Sequence, residues 1–147
     1  MGAPAAAWSE LAEARLADAG FRRGGARAAV IGLLDDQSCA LSAYEIEARL
    51  REEGRGVARA SVYRVLDQLE GLGLLTKIEV GQGIARYEPN RPGADHHHHM
   101  VCARCGEVIP FADAELEATI DRVAERVTFE VAEHEIVLHG ACADCKA

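Results

Sequence analysis

The sequence predicts a two-domain α/β chain, and three observations carry that expectation. Residues 1–88 hold four short amphipathic helical stretches followed by two strand-like runs around a glycine turn. Proline and glycine at 89, 92 and 93 break the pattern, and the charge balance changes there. The segment from 96 to 147 is bracketed by two Cys-x-x-Cys pairs.

The first helix is expected in AWSELAEARLADAG, where Trp8, Leu11 and Leu16 recur at helical spacing and Gly20 supplies a stop. ARAAVIGLL (26–34) is a second. SAYEIEARLREEG (42–54) is a third, with Ser42 as N-cap and Glu45 at the capping-box position. ARASVYRVLDQLEGLG (58–73) is a fourth, with Val62, Val65, Leu66 and Leu69 on one face. None is long enough to be stable alone, so they must pack together. LLTKIEV and IARYE, separated by glycines 81 and 83, read as a hairpin. Helices followed by such a hairpin make a winged helix-turn-helix, here residues 1–88, with a hinge at 89–95. In the last domain, 96–147, MVCARCGEVIPF is extended, DAELEATIDRVAERV (113–127) is helical, and TFEVAEHEIVLHGAC has strand-like pieces.

Composition narrows the function. The 147 residues carry a net charge of −8, which argues against binding nucleic acid with the whole surface. Residues 1–90 are nearly balanced, with 11 Lys/Arg against 13 Asp/Glu, whereas residues 91–147 have 5 against 11. The first part is therefore the one suited to DNA. No basic leader precedes a long apolar stretch and no window is apolar enough to span a bilayer, so a cytoplasmic protein is expected, with no membrane partner.

In a reducing compartment, Cys102, Cys105, Cys142 and Cys145 read as metal ligands. Two Cys-x-x-Cys pairs complete the four-sulfur shell that zinc accepts. The alternative, a thioredoxin-like pair, would need a Cys-x-x-Cys opening a helix. The four histidines 96–99 lie inside the chain, unlike a terminal tag. In an extended strand His96 and His98 face one way, His97 and His99 the other, so the run can serve two ions. Glu88 can meet one face, and Glu117 with His134 the other. In the DNA-reading helix, Arg59, Ser61, Tyr63 and Arg64 stand near the N-terminal end, where base edges and phosphates are met. Arg27 and either Lys77 or Arg86 are expected to steady the backbone.

ASVYRVLDQLEGLGLLTKIEV, RYE, HHHHMVCARCGEVIPF and HGACADC together closely resemble the ferric uptake regulator family of metal-dependent bacterial repressors, over nearly the whole chain. The resemblance implies a homodimer on a palindromic double-stranded operator, and no enzymatic activity. It implies structural zinc at Cys102, Cys105, Cys142 and Cys145. It implies a regulatory hinge site of Glu88, His97 and His99, and a second dimerisation-domain site of His96, His98, Glu117 and His134, with 98 an Asp in some members. Tyr63 and Arg64 match the family's groove-contacting pair, and Arg27 the arginine before its second long helix.

Two positions depart from the family pattern. A histidine common in iron and peroxide sensors is Ala40 here, with Cys39 beside it, and a carboxylate used by some members falls on Pro110. If Cys39 joins the hinge site its thiolate favours zinc; otherwise Glu and two His with an open position suit Fe2+ or Mn2+. The regulatory metal is thus iron or zinc, with manganese a further option. Two other readings stay open: a peroxide-sensing, iron-loaded repressor, and a zinc-stapled protein-interaction module without metal-regulated DNA binding.

Overall fold

The computed structural model describes residues 7–37, 40–93 and 96–146. Cys39 lies outside the described residues. The chain divides into two compact units, Met1–Ala94 and Asp95–Ala147.

The first unit contains α1 (Trp8–Asp18), α2 (Gly25–Asp36), β1 (Leu41–Ser42), α3 (Ala43–Glu52), α4 (Arg59–Gly71), β2 (Leu75–Gly81) and β3 (Ile84–Pro89). The strands form an antiparallel sheet in the order β1-β3-β2. Apolar stripes of all four helices meet in one core. Leu16, Leu34, Ile46, Leu50, Leu66 and Leu69 are fully buried there, each worth about 1.5–3 kcal/mol of transfer free energy. Ser42 Oγ accepts from the Glu45 amide at 3.1 Å, which caps α3 and fixes where it starts. Trp8 Nε1 donates to the Leu74 carbonyl at 3.0 Å, tying α1 to the approach to β2. α3 and α4 with the β2–β3 wing make a winged helix-turn-helix, and the wing turns through Gly81, Gln82 and Gly83, all at positive φ.

Two residues beyond β3 remain bound to this unit. The Asn90 amide donates to Leu74 O at 2.9 Å and its side chain to Gly73 O at 2.9 Å. Arg91 Nη1 donates to Asp35 Oδ1 and Nη2 to the Asp35 carbonyl, each at 2.8 Å, closing the C-terminal end of α2.

The second unit contains β4 (His98–Cys102), β5 (Val108–Phe111), α5 (Ala114–Arg126) and β6 (Val137–Gly140). Its sheet has the order β5-β4-β6, with β4 antiparallel to β5 and parallel to β6. Pro110 is tolerated because β5 is an edge strand. Asp113 accepts from the Leu116 amide at 2.9 Å and caps α5. Among the described residues no helix is long and apolar enough to cross a membrane.

Candidate metal centres and nucleic-acid interface

The four cysteines converge because β4 and β6 run parallel with Cys102 opposite Gly140. The chain leaves both strands at the same end, where the Ala103 amide donates to Gly140 O at 2.7 Å. Cys102 and Cys105 then sit on a tight knuckle closed by the Gly106 amide on Cys102 O at 2.9 Å, with Gly106 at φ 77°. That left-handed conformation explains a glycine after the second cysteine. All four sulfurs lie within 4.8 Å of one another, and Cys105 Sγ is 3.8 Å from Cys142 Sγ. Tetrahedral zinc with Zn–S bonds of about 2.3 Å needs sulfurs about 3.8 Å apart, so the donor set fits that ion. The Cys102 thiol is pulled down to about 6, first by the Cys105 amide and next by that of Cys142. Cys145 is pushed up to about 12 by its bonds to the Cys142 and Cys102 sulfurs. Four sulfurs this close cannot all ionise without a cation to hold the charge.

The second centre gathers on the opposite end of β4. His98 is fully buried, and its Nε2 lies 2.6 Å from Glu117 Oε1. His134 Nε2 lies 2.7 Å from Glu117 Oε2, and His96 Nε2 is 3.2 Å from His134 Nε2. The Ile136 amide donates to His98 Nδ1 at 3.2 Å and fixes that ring. Burial raises the pKa of Glu117, but hydrogen bonds to His98 and His134 prevail and hold its carboxyl below the usual range. One ligand atom from each of the four residues lies within 4.8 Å of the others. Imidazole and carboxylate bonds of about 2.0–2.2 Å put neighbouring ligand atoms about 3.3 Å apart, so three imidazoles and a carboxylate fit a divalent cation.

His97 and His99 face away from that cluster, their ring centroids 4.9 Å apart. Glu88 stands on β3 opposite Thr76, in the other unit.

Of the residues expected to meet DNA, Tyr63 and Arg64 lie exposed on α4, with Arg64 Nη2 donating to Ser61 Oγ at 3.3 Å. Lys77 stands on the wing, 3.7 Å from Glu79. Arg59 Nε donates to Glu47 Oε2 at 2.6 Å while its guanidinium lies over the Tyr44 ring. Two arginines are differently placed from the expectation. Arg27 is only 3% exposed. It donates from Nε to Glu13 Oε2 at 2.8 Å and from Nη1 to the Phe21 and Arg22 carbonyls at 3.0 Å. In place of a phosphate contact it clasps the α1–α2 loop. Arg86 turns to Glu45 at 3.0 Å and to the Ala40 carbonyl at 3.3 Å. Nothing in the sequence singles out Tyr44, an exposed aromatic in the first turn of α3 that helical periodicity does not require.

In the second unit no α5 side chain is buried. Val123, Val127 and Phe129 stand exposed, as do Met100 and Leu138 on the sheet, with Val127 at 64%. Such an apolar surface on a small unit marks an interface.

Comparison with known proteins agrees with this arrangement. The ferric uptake regulator family profile matches residues 18–139. The ferric uptake regulation protein of Neisseria meningitidis is 37% identical over 135 residues, 91% of this chain and 92% of that protein. The solved ferric uptake regulator of Helicobacter pylori superposes with a TM-score of 0.84 at 26% identity, covering 95% of this chain and 92% of that one. That of Pseudomonas aeruginosa, with manganese, gives 0.73 at 34% identity over 90% and 98%. With its winged helix-turn-helix, its clusters of metal-ligating side chains and these relatives, the chain belongs to the ferric uptake regulator family, metal-responsive transcriptional repressors and not enzymes.

Proposed function

We propose that this repressor works as a homodimer on a palindromic operator, with α4 in the major groove, and that filling its histidine sites with a divalent metal raises operator affinity. The observation that carries the reading is the convergence on one point of His96 just ahead of β4, His98 at its start, Glu117 of α5 and His134 ahead of β6. The Helicobacter pylori relative has three functional metal-binding sites, a Francisella tularensis relative was solved with iron and the Pseudomonas aeruginosa one with manganese. These favour iron or manganese alongside zinc at the histidine sites of this chain.

A cation supplies positive charge and fixed ligand directions; the chain's own residues do the rest. Cys102, Cys105, Cys142 and Cys145 would hold structural zinc and join the end of the chain to the β4–β5 knuckle. Glu117 and His134 would fasten α5 and the approach to β6 to β4. Glu88, His97 and His99 form the proposed sensing set, with Cys39 as a further ligand if zinc is sensed. Ligands drawn from both sides of the linker would favour one arrangement of it, and ligand binding shifts an equilibrium only through such a preference. On DNA, Tyr63 would contact base edges or sugar, and Ser61, Arg64, Arg59 and Lys77 the backbone. The apolar surface of α5, Met100 and Leu138 would meet its copy across the dimer axis.

The test is an anisotropy titration of zinc-retaining protein on a duplex that the protein itself enriches from a random pool. Iron, manganese, zinc or nickel is added in turn. At least one metal should tighten binding by about tenfold, a coupling of about 1.4 kcal/mol. No change with any of the four would overturn the reading.

A further inference from the structure

Arg59 is the first residue of α4, and its guanidinium is held from two directions by α3. Glu47 accepts from Nε at 2.6 Å, and Glu47 is itself anchored by Arg51 at 2.8 Å. The Tyr44 ring lies beneath, its centroid 5.5 Å from Cζ. Tyr44 is 66% exposed, so the stack costs an aromatic surface that the core does not use. Arg59 nonetheless remains 55% exposed. Of the five guanidinium N–H groups, Glu47 takes the one on Nε and leaves those on Nη1 and Nη2. In a helix-turn-helix the first helix crosses the DNA backbone while the second enters the groove. α3 is that first helix, and Tyr44 and Glu47 stand in its first half.

We infer that Tyr44 and Glu47 are positioning residues that aim Arg59 at a DNA phosphate, making the α3–α4 junction a backbone contact separate from the Tyr63–Arg64 face. The inference rests on the reading of α4 as the recognition helix. A flexible arginine loses rotamer freedom when it binds; one already stacked and hydrogen-bonded has less to lose. The Glu47 charge is then a guide for the guanidinium and not a competitor for it.

The metal-loaded dimer is titrated against the self-enriched duplex over a series of KCl concentrations. Arg59→Ala should weaken binding and reduce the log affinity against log salt slope by about one per protomer. Tyr44→Ala should weaken binding severalfold, Tyr44→Phe should restore it, and Tyr44→Ala should add nothing in an Arg59→Ala background. Glu47→Ala and Glu47→Gln remove the same charge, but only Gln keeps an acceptor for Nε, so Glu47→Ala should bind severalfold more weakly than Glu47→Gln. An unchanged slope in Arg59→Ala, additive Tyr44 and Arg59 effects, or equal affinities of the two Glu47 variants would overturn the inference. Unimpaired binding by Arg64→Ala would instead overturn the recognition-helix reading, and this inference with it.

Discussion

His134 Nε2 stands 2.7 Å from Glu117 Oε2, and this contact joins the chain ahead of β6 to helix α5. It matters because no side chain of α5 is buried in the unit. A helix without its own buried face is held by polar contacts, by a bound cation and by whatever covers its apolar stripe.

Glu117→Ala is therefore expected to lose the cation of the histidine cluster while keeping the one among the sulfurs. Metal analysis should show about one equivalent fewer per chain. Amides of residues 114–126 should exchange faster than in the wild type when metal is present, and metal should no longer slow them.

Cys142→Ser should cost more than one cation. Its sulfur lies among those of Cys102, Cys105 and Cys145, and structural zinc contributes about 10–16 kcal/mol of apparent binding free energy in zinc-finger peptides. Among the described residues of the second unit only four are buried, His98, His99, Val101 and Cys102. The variant should lose the structure of the second unit, seen as loss of dispersed amide resonances from 96–146. Those of the first unit should persist.

Val123→Glu tests the uncovered stripe. Val123 is exposed in the single chain, so a charge there costs the fold little. In a dimer the same carboxylate would be buried without a partner. Sedimentation should show a shift toward monomer, with unchanged metal content at the sulfurs.

Where the sequence was legible, the signal was local. Ser42 and Glu45 announced the start of α3, and Val62, Val65, Leu66 and Leu69 announced α4, because capping and periodicity act within one or two turns. Strand alternation likewise separates His96 and His98 from His97 and His99. The two-residue β1 carries no periodicity at all, and its pairing with Tyr87 and Arg86 depends on residues more than forty positions away. The setting of Arg27 is illegible for a related reason. As a residue type it suits phosphate, but nothing local shows that Glu13 and two loop carbonyls already surround it. Nothing local marks Tyr44, because the residue it contacts, Arg59, is on another helix.

That placement of Arg27 gives a separable pair of outcomes. Arg27→Ala strands Glu13 and leaves the Phe21 and Arg22 carbonyls without their donor, so it should destabilise the first unit by about 3 kcal/mol in urea denaturation. Arg64 is exposed, and Arg64→Ala should change stability by no more than about 0.5 kcal/mol while losing DNA affinity. Equal stability of the two variants would contradict the clasp.

Asp35 and Arg91 give the acid response of the first unit. Burial raises the Asp35 pKa, but hydrogen bonds from Ser9 and Arg91 and the Arg91 charge outweigh it and leave the carboxyl below its ordinary value. Asp35 sits at the C-terminal end of α2, where the helix dipole disfavours a negative charge, and the Arg91 cation opposite offsets that repulsion. A folded-state pKa below the unfolded one contributes stability above the unfolded value of about 3.9, and that contribution disappears as pH falls through the folded value. Wild type should therefore exceed Asp35→Asn in stability by about 1 kcal/mol at pH 6, and the difference should shrink as the solution is taken below pH 4. Comparing the two proteins at each pH cancels the protonation of the histidine and cysteine clusters, which both share. A gap that stays constant into acid would show that Arg91 binds the α2 carbonyls alone and that the Asp35 carboxylate adds nothing to the closure.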